Sequence, residues 1–143
     1  MSNPRLPYSK LSPGAYQALI ATKKALEQGA LDVSLLELIN LRVSQINGCS
    51  FCTTMHSSLL RKRGTDNGKI DAVAGWRASD AYTERERVAL SWAESLTQVS
   101  VTAAPDEAYE PLKSHFSDAE ISDLTFAVAL MNALNRLGVG MRL

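Results

Sequence analysis

Apolar residues recur along this chain at spacings of three and four, and no stretch keeps the strict alternation of a half-buried strand. The pattern predicts an all-α protein. Ser12 followed by Pro13 is an N-cap with proline at the first helical position, and Gly29 suits the far end of a helix carrying Ala18, Leu19, Ala25 and Leu26. Asp32 caps the next helix, on which Leu35, Leu38, Ile39, Val43 and Ile46 recur before Asn47-Gly48 stops it. A third helix is expected from about Cys49 to Arg63, closed by Gly64, with Arg61, Lys62 and Arg63 at its negative dipole end.

Further along, Thr65 to Ala74 predicts a shorter helix and Trp76 to Tyr82 a connector. Thr83-Glu84-Arg85-Glu86 is a capping box, and Val88, Ala89, Trp92, Ala93 and Leu96 form the buried face of the helix it opens. Pro105 starts a short helix through about His115. Ser117-Asp118-Ala119-Glu120 is a second capping box, heading a final helix striped with Ile121, Leu124, Val128, Met131, Leu134 and Leu137. The sum is a bundle of about six or seven helices in one domain, residues 1–143.

Charge narrows the function. Lys plus Arg and Asp plus Glu stand at 15 each, so no overall field gathers nucleic acid, an anionic membrane or an acidic substrate. The segment Met1 to Tyr8 lacks the apolar core of a secretory leader, and the run around Phe126 to Met131 is shorter than a membrane span. A cytoplasmic protein is expected, with neither nucleic acid nor membrane as partner. The two cysteines are spaced C-x-x-C, which in a reducing compartment points to catalysis or metal binding rather than to a structural staple.

On a helix, Cys49, Cys52 and His56 fall within about 60° of one another, and His56 lies roughly 6 Å along the axis from Cys52 but roughly 10 Å from Cys49. Cys52 is therefore the thiol that His56 can activate. Helical cysteines three apart have α-carbons about 5 Å from each other, close enough to form a disulfide and reopen. A first-turn position favours the thiolate, through unpaired amides and the helix dipole. Glu37 and Ser44 are seven apart on the preceding helix, and a tight turn at Gly48 could fold that stripe against the cysteines. Glu37, set among Leu36, Leu38 and Ile39, would then take and return a proton. The cysteine pair is also compatible with inert packing, or with half of a zinc site; the other histidine, His115, is far along the chain. Asn132, Asn135 and Arg136 interrupt the final apolar helix as buried hydrogen-bonding groups or a subunit contact, and Trp76 and Trp92 suit a core or an interface.

The spacing Glu37, eleven residues, Cys49, two, Cys52, three, His56, with Ser44 between, resembles the alkylhydroperoxidase AhpD-like branch of the carboxymuconolactone decarboxylase superfamily. Trp76-Arg77, Thr83 to Glu86 and Asn132 to Arg136 are similar too, so the likeness spans roughly residues 15–142. The resemblance implies an all-α fold, assembly as a homo-oligomer (trimer or hexamer), and a dithiol site that reduces peroxides without a bound cofactor or metal. By the same resemblance Cys52 passes through a sulfenic acid and Cys49 resolves it. Glu37 and His56 then form a proton relay, and a dithiol or lipoylated carrier protein restores the pair. Phe51 stands where the best-known members carry a second histidine. The expected function is reduction of organic hydroperoxides. Two alternatives are a general dithiol-disulfide oxidoreductase and a non-catalytic redox-sensing oligomer.

Overall fold

The computed structural model describes residues 3–143; Met1 and Ser2, the start of the segment that lacks an apolar leader core, lie outside the described residues. Its elements in chain order are α1 (Tyr8–Leu11), α2 (Pro13–Glu27), α3 (Val33–Ile46), α4 (Ser50–Lys62), α5 (Asn67–Asp71), a 3-10 segment (Val73–Ala78), α6 (Glu84–Thr97), α7 (Val99–Thr102), α8 (Asp106–Tyr109), a second 3-10 segment (Glu110–Ser114) and α9 (Asp118–Met141). No strand occurs among the described residues, in keeping with the all-α pattern.

The start signals act as their chemistry dictates. Asp32 accepts from the Leu35 amide, and both capping boxes close, Thr83 with Glu86 and Ser117 with Glu120. Ser12 precedes Pro13 without making a side-chain cap. Three short elements went beyond the sequence pattern. Tyr8–Leu11 and Val99–Thr102 are single turns too brief to show a period, and the segment expected to be a connector from Trp76 begins inside a 3-10 turn interrupted at Gly75.

Helix α3 is the axis of the bundle, packing against α4, α6 and α9. Leu35, Leu36, Leu38, Ile39, Leu41 and Val43 are all buried, so apolar contact surrounds the helix instead of following one stripe. Each fully buried aliphatic side chain contributes about 1.5–3 kcal/mol. The cost falls on the polar residues of the same helix, because Glu37, Asn40 and Ser44 are carried into the interior with them. Helix α9 contains 24 residues and is long and apolar enough, by length and composition alone, to cross a membrane. The apolar run seen around Phe126 to Met131 is thus part of a longer helix, and here it packs against α2, α3, α4 and α6 as a core element.

A knot at Glu94 holds the connector in place. Its carboxylate accepts from Arg42 Nε at 2.8 Å, Trp76 Nε1 at 2.8 Å and Arg77 Nη1 at 2.5 Å, joining α3, the first 3-10 segment and α6. Arg87 in turn donates to the carbonyls of Trp76, Arg77 and Ser79. Burial pushes the Glu94 pKa up, but the hydrogen bonds from Trp76, Arg77 and Arg42 outweigh it and hold the group below its ordinary value of 4.5. A depressed folded pKa adds stability that is complete above the unfolded value and is lost as pH falls through the folded one. Glu94→Gln should therefore narrow its stability gap to the parent as pH drops below 4.5, as read from urea midpoints across that range.

Candidate active site

The site forms where α3 ends and α4 begins. Gly48 adopts φ +66°, the left-handed conformation that terminates a helix at little cost only in glycine. The Gly48 amide donates to the Gln45 carbonyl and the Cys49 amide to the Ser44 carbonyl, completing a two-bond helix stop. Cys49 is at once the residue after that stop and the N-cap of α4, with extended backbone at φ −83°, ψ 95°. This corrects the expected start of the third helix: Cys49 lies just outside it, and only Cys52 and His56 share its stripe. The Cys49 sulfur takes the capping role that a serine or aspartate usually fills, accepting from the Cys52 amide at 3.3 Å. The two sulfurs are joined in a disulfide, with α-carbons 5.3 Å apart.

The reversal at Gly48 lays α4 back along α3, and it brings Glu37 and His56 together across 19 positions of sequence. His56 Nδ1 and Glu37 Oε2 lie 2.5 Å apart, with His56 0% and Glu37 3% exposed. An ionised carboxylate offers only acceptors, so Nδ1 is the donor to it, and in the neutral ring Nε2 then carries the lone pair. Nε2 is itself buried and has no hydrogen-bond partner in the protein.

Cys52 and His56 both line a cavity of about 230 Å³, whose walls include Tyr8, Tyr16, Ile20, Lys23, Phe51 and Met55. Cys49 instead borders a more open groove with Gly48, Ser50, Gly138 and Arg142. The two cysteines therefore border different spaces.

Ser44 serves the frame. Its hydroxyl accepts from Asn135 Nδ2 at 3.1 Å, and Asn47 Nδ2 donates to both Asn132 Oδ1 and Asn135 Oδ1 at 3.0 Å. The asparagines of α9, Asn135 buried and Asn132 half-buried, thus form a hydrogen-bond network pinning the end of α3. Trp76 and Trp92 are core residues, and the His115 carbonyl accepts from Arg85, away from the dithiol. Among the described residues, no group of three or more potential metal-ligating side chains gathers around the cysteines or elsewhere.

Comparisons with known proteins show the family and the fold. The model of the carboxymuconolactone decarboxylase family matches residues 13–95. The chain belongs to that family. The chain is 31% identical over 137 residues to the uncharacterized protein YdfG of Bacillus subtilis (strain 168), covering 96% of this chain and 93% of YdfG. A protein of unknown function from Agrobacterium tumefaciens, named as a candidate antioxidant defence protein AhpD, superposes with a TM-score of 0.94 at 41% identity, over 98% of this chain and 96% of its own. A peroxidase-related protein from Ralstonia eutropha JMP134, described as an alkylhydroperoxidase AhpD core, gives 0.81 at 26% identity, over 94% of this chain and 73% of its own.

One residue beside the disulfide carries no chemistry and escaped the sequence pattern. A Cβ on Gly138 would stand 3.0 Å from the Cys49 sulfur and 3.5 Å from the Cys52 sulfur, so the glycine makes room for the closed disulfide. The only sequence signal was a glycine inside a helix, where it costs about 1 kcal/mol relative to alanine. Gly138→Ala should favour the helix in both redox states but crowd the disulfide alone, since free thiols can rotate aside. Overpacking of about 1–3 kcal/mol is expected against the oxidised form, displacing the equilibrium with dithiothreitol toward the dithiol. Equal destabilisation of both forms would contradict this role.

Proposed function

We propose that this chain is a thiol-dependent peroxidase that reduces organic hydroperoxides through the Cys49–Cys52 pair, with His56 and Glu37 moving the proton. The observation that carries the reading is the buried, unpartnered Nε2 of His56, held by Glu37 and sharing with Cys52 a largely apolar and aromatic cavity. Such a cavity suits the organic part of a hydroperoxide better than it suits water-like hydrogen peroxide.

With the disulfide reduced, Nε2 accepts the Cys52 proton and the thiolate attacks the terminal peroxide oxygen. A sulfur–oxygen bond forms as the O–O bond breaks, leaving a sulfenic acid on Cys52 and an alcohol after protonation. The Cys49 thiol then displaces water from that sulfenic acid, giving the disulfide seen here. An external dithiol, such as a lipoyl group on a carrier protein, reopens it and leaves as its own disulfide. The names of the Agrobacterium and Ralstonia relatives support the same reading.

A second reading has its own observation. Cys49 at the N-cap, with an amide aimed at its sulfur, is a thiol primed for exchange with other disulfides. A general dithiol-disulfide oxidoreductase would need no peroxide. The two separate in a Cys49→Ser variant treated with an organic hydroperoxide. The peroxidase reading expects a Cys52 sulfenate that dimedone traps, and no such adduct in Cys52→Ser. Absence of any adduct, with disulfide exchange retained in the parent, would decide for the oxidoreductase.

A further inference from the structure

The displacement at Cys52 creates a requirement that the Glu37–His56 pair does not meet. The sulfur attacks one peroxide oxygen along the O–O axis, so the departing oxygen lies on the side of the peroxide remote from sulfur, out in the cavity. That oxygen leaves as an alkoxide, a strong base that needs a hydrogen-bond donor as the bond breaks. His56, wholly buried and bound to Glu37, belongs with the attacking sulfur. Phe51, Ile20, Met55 and Leu134 offer no such donor.

Three groups on the cavity wall do, and one of them, Lys23, has its ammonium paired with Glu27 at 3.5 Å; the other two are tyrosines. Tyr8 and Tyr16 both line it, from α1 and the start of α2, with their rings packed edge to face at a centroid distance of 5.9 Å. Among the described residues neither hydroxyl has a hydrogen-bond partner in the protein, whereas Tyr82, elsewhere, donates to the Lys69 carbonyl. The strap that brings Tyr8 here is tied down: the Arg5 amide donates to the Met141 carbonyl at 2.9 Å, and its guanidinium to the Gly140 carbonyl at 3.0 Å. Burial, and then the neighbouring Tyr16, push the Tyr8 phenol above its ordinary value, so it keeps its proton at neutral pH.

We propose that the phenols of Tyr8 and Tyr16 form the donor site for the departing alkoxide, a catalytic element outside the Glu-Cys-Cys-His spacing. The proposal rests on the peroxidase reading. In the step itself, the Cys52 thiolate gains the hydroxyl oxygen and is oxidised to the sulfenic acid. The O–O electron pair goes to the alkoxide, which takes a phenol proton to leave as the alcohol, and the tyrosinate recovers a proton from solvent at the cavity mouth.

The test compares leaving groups in single-turnover oxidation of the fully reduced protein. tert-Butyl hydroperoxide releases a strongly basic alkoxide, peracetic acid a weakly basic acetate, and iodoacetamide, with alkylation of Cys52 read apart from that of Cys49 by fragment mass spectrometry, an iodide that needs no proton. In the Tyr8→Phe/Tyr16→Phe double variant, the rate with tert-butyl hydroperoxide should fall by about 10- to 100-fold, following the usual worth of a general acid or oxyanion donor. The rates with peracetic acid and iodoacetamide should stay near those of the parent. An equal fall with all three reagents would show that the phenols merely hold the site together, and no fall with tert-butyl hydroperoxide would show that they take no part; either overturns the proposal. Failure of the parent itself to react with either peroxide, while iodoacetamide still alkylates it, would instead strike the peroxidase reading and this proposal with it.

Discussion

The contact between Glu37 and His56 sets most of what surrounds it. Two titratable side chains removed from water are tolerable only together, and removing one partner from such a pair costs about 3–5 kcal/mol. Their meeting therefore constrains how α4 lies on α3: His56 must come opposite Glu37, and Cys52, one turn earlier, must come with it. The helix stop at Gly48 makes that alignment possible, since it reverses the chain with only Asn47, Gly48 and Cys49 between the two helices. A longer linker would leave the register to side-chain packing.

The same pair explains why the surrounding frame contains so much buried hydrogen bonding. Helix α3 is apolar on every side, and its polar residues have nowhere to go but inward. Ser44 and Asn47 find partners on α9, where Asn132 and Asn135 return the bonds. That network fixes α9 against the end of α3, and Gly138, one turn beyond Asn135, then presents bare backbone to the disulfide. A frame held by directional bonds keeps its spacing when the sulfurs open and close, which apolar packing alone does less strictly.

Much of this was legible in the sequence because it is written in local rules. Capping boxes at Thr83 and Ser117, the aspartate cap at Asp32, and the glycine stops at Gly48 and Gly64 are short-range signals, and each lies at a helix boundary. The approach of Glu37 to the cysteine helix followed from one spacing and one turn. What escaped was set by tertiary contact. Cys49 as a cap instead of a helical residue depends on its sulfur finding the Cys52 amide. Gly138 matters only because α9 passes the disulfide, and Tyr8 only because Arg5 ties its strap to the end of α9. The 3-10 turn at Trp76 is held by Glu94, from a helix that starts eight residues past the tryptophan. None of these has a period or a motif to announce it.

The two cysteines also show why acidity alone does not assign their roles. Helix-terminus reasoning favours Cys49, and its position as the N-cap, with an amide directed at the sulfur, strengthens that case. Yet a nucleophile must meet its substrate, and the sulfur that shares a cavity with the free imidazole nitrogen is Cys52. In the proposed cycle the division is then natural. Cys52 acquires its charge when His56 removes a proton in the presence of the organic peroxide. Cys49, stabilised by backbone and bordering the open groove, stands ready as the resolving thiol and, in that cycle, as the one an incoming dithiol meets. An exchange in which the reductant attacks Cys49 expels Cys52 as the thiolate, beside the imidazole that can carry its proton. Reduction would thereby return the site to the protonation state from which the next oxidation starts.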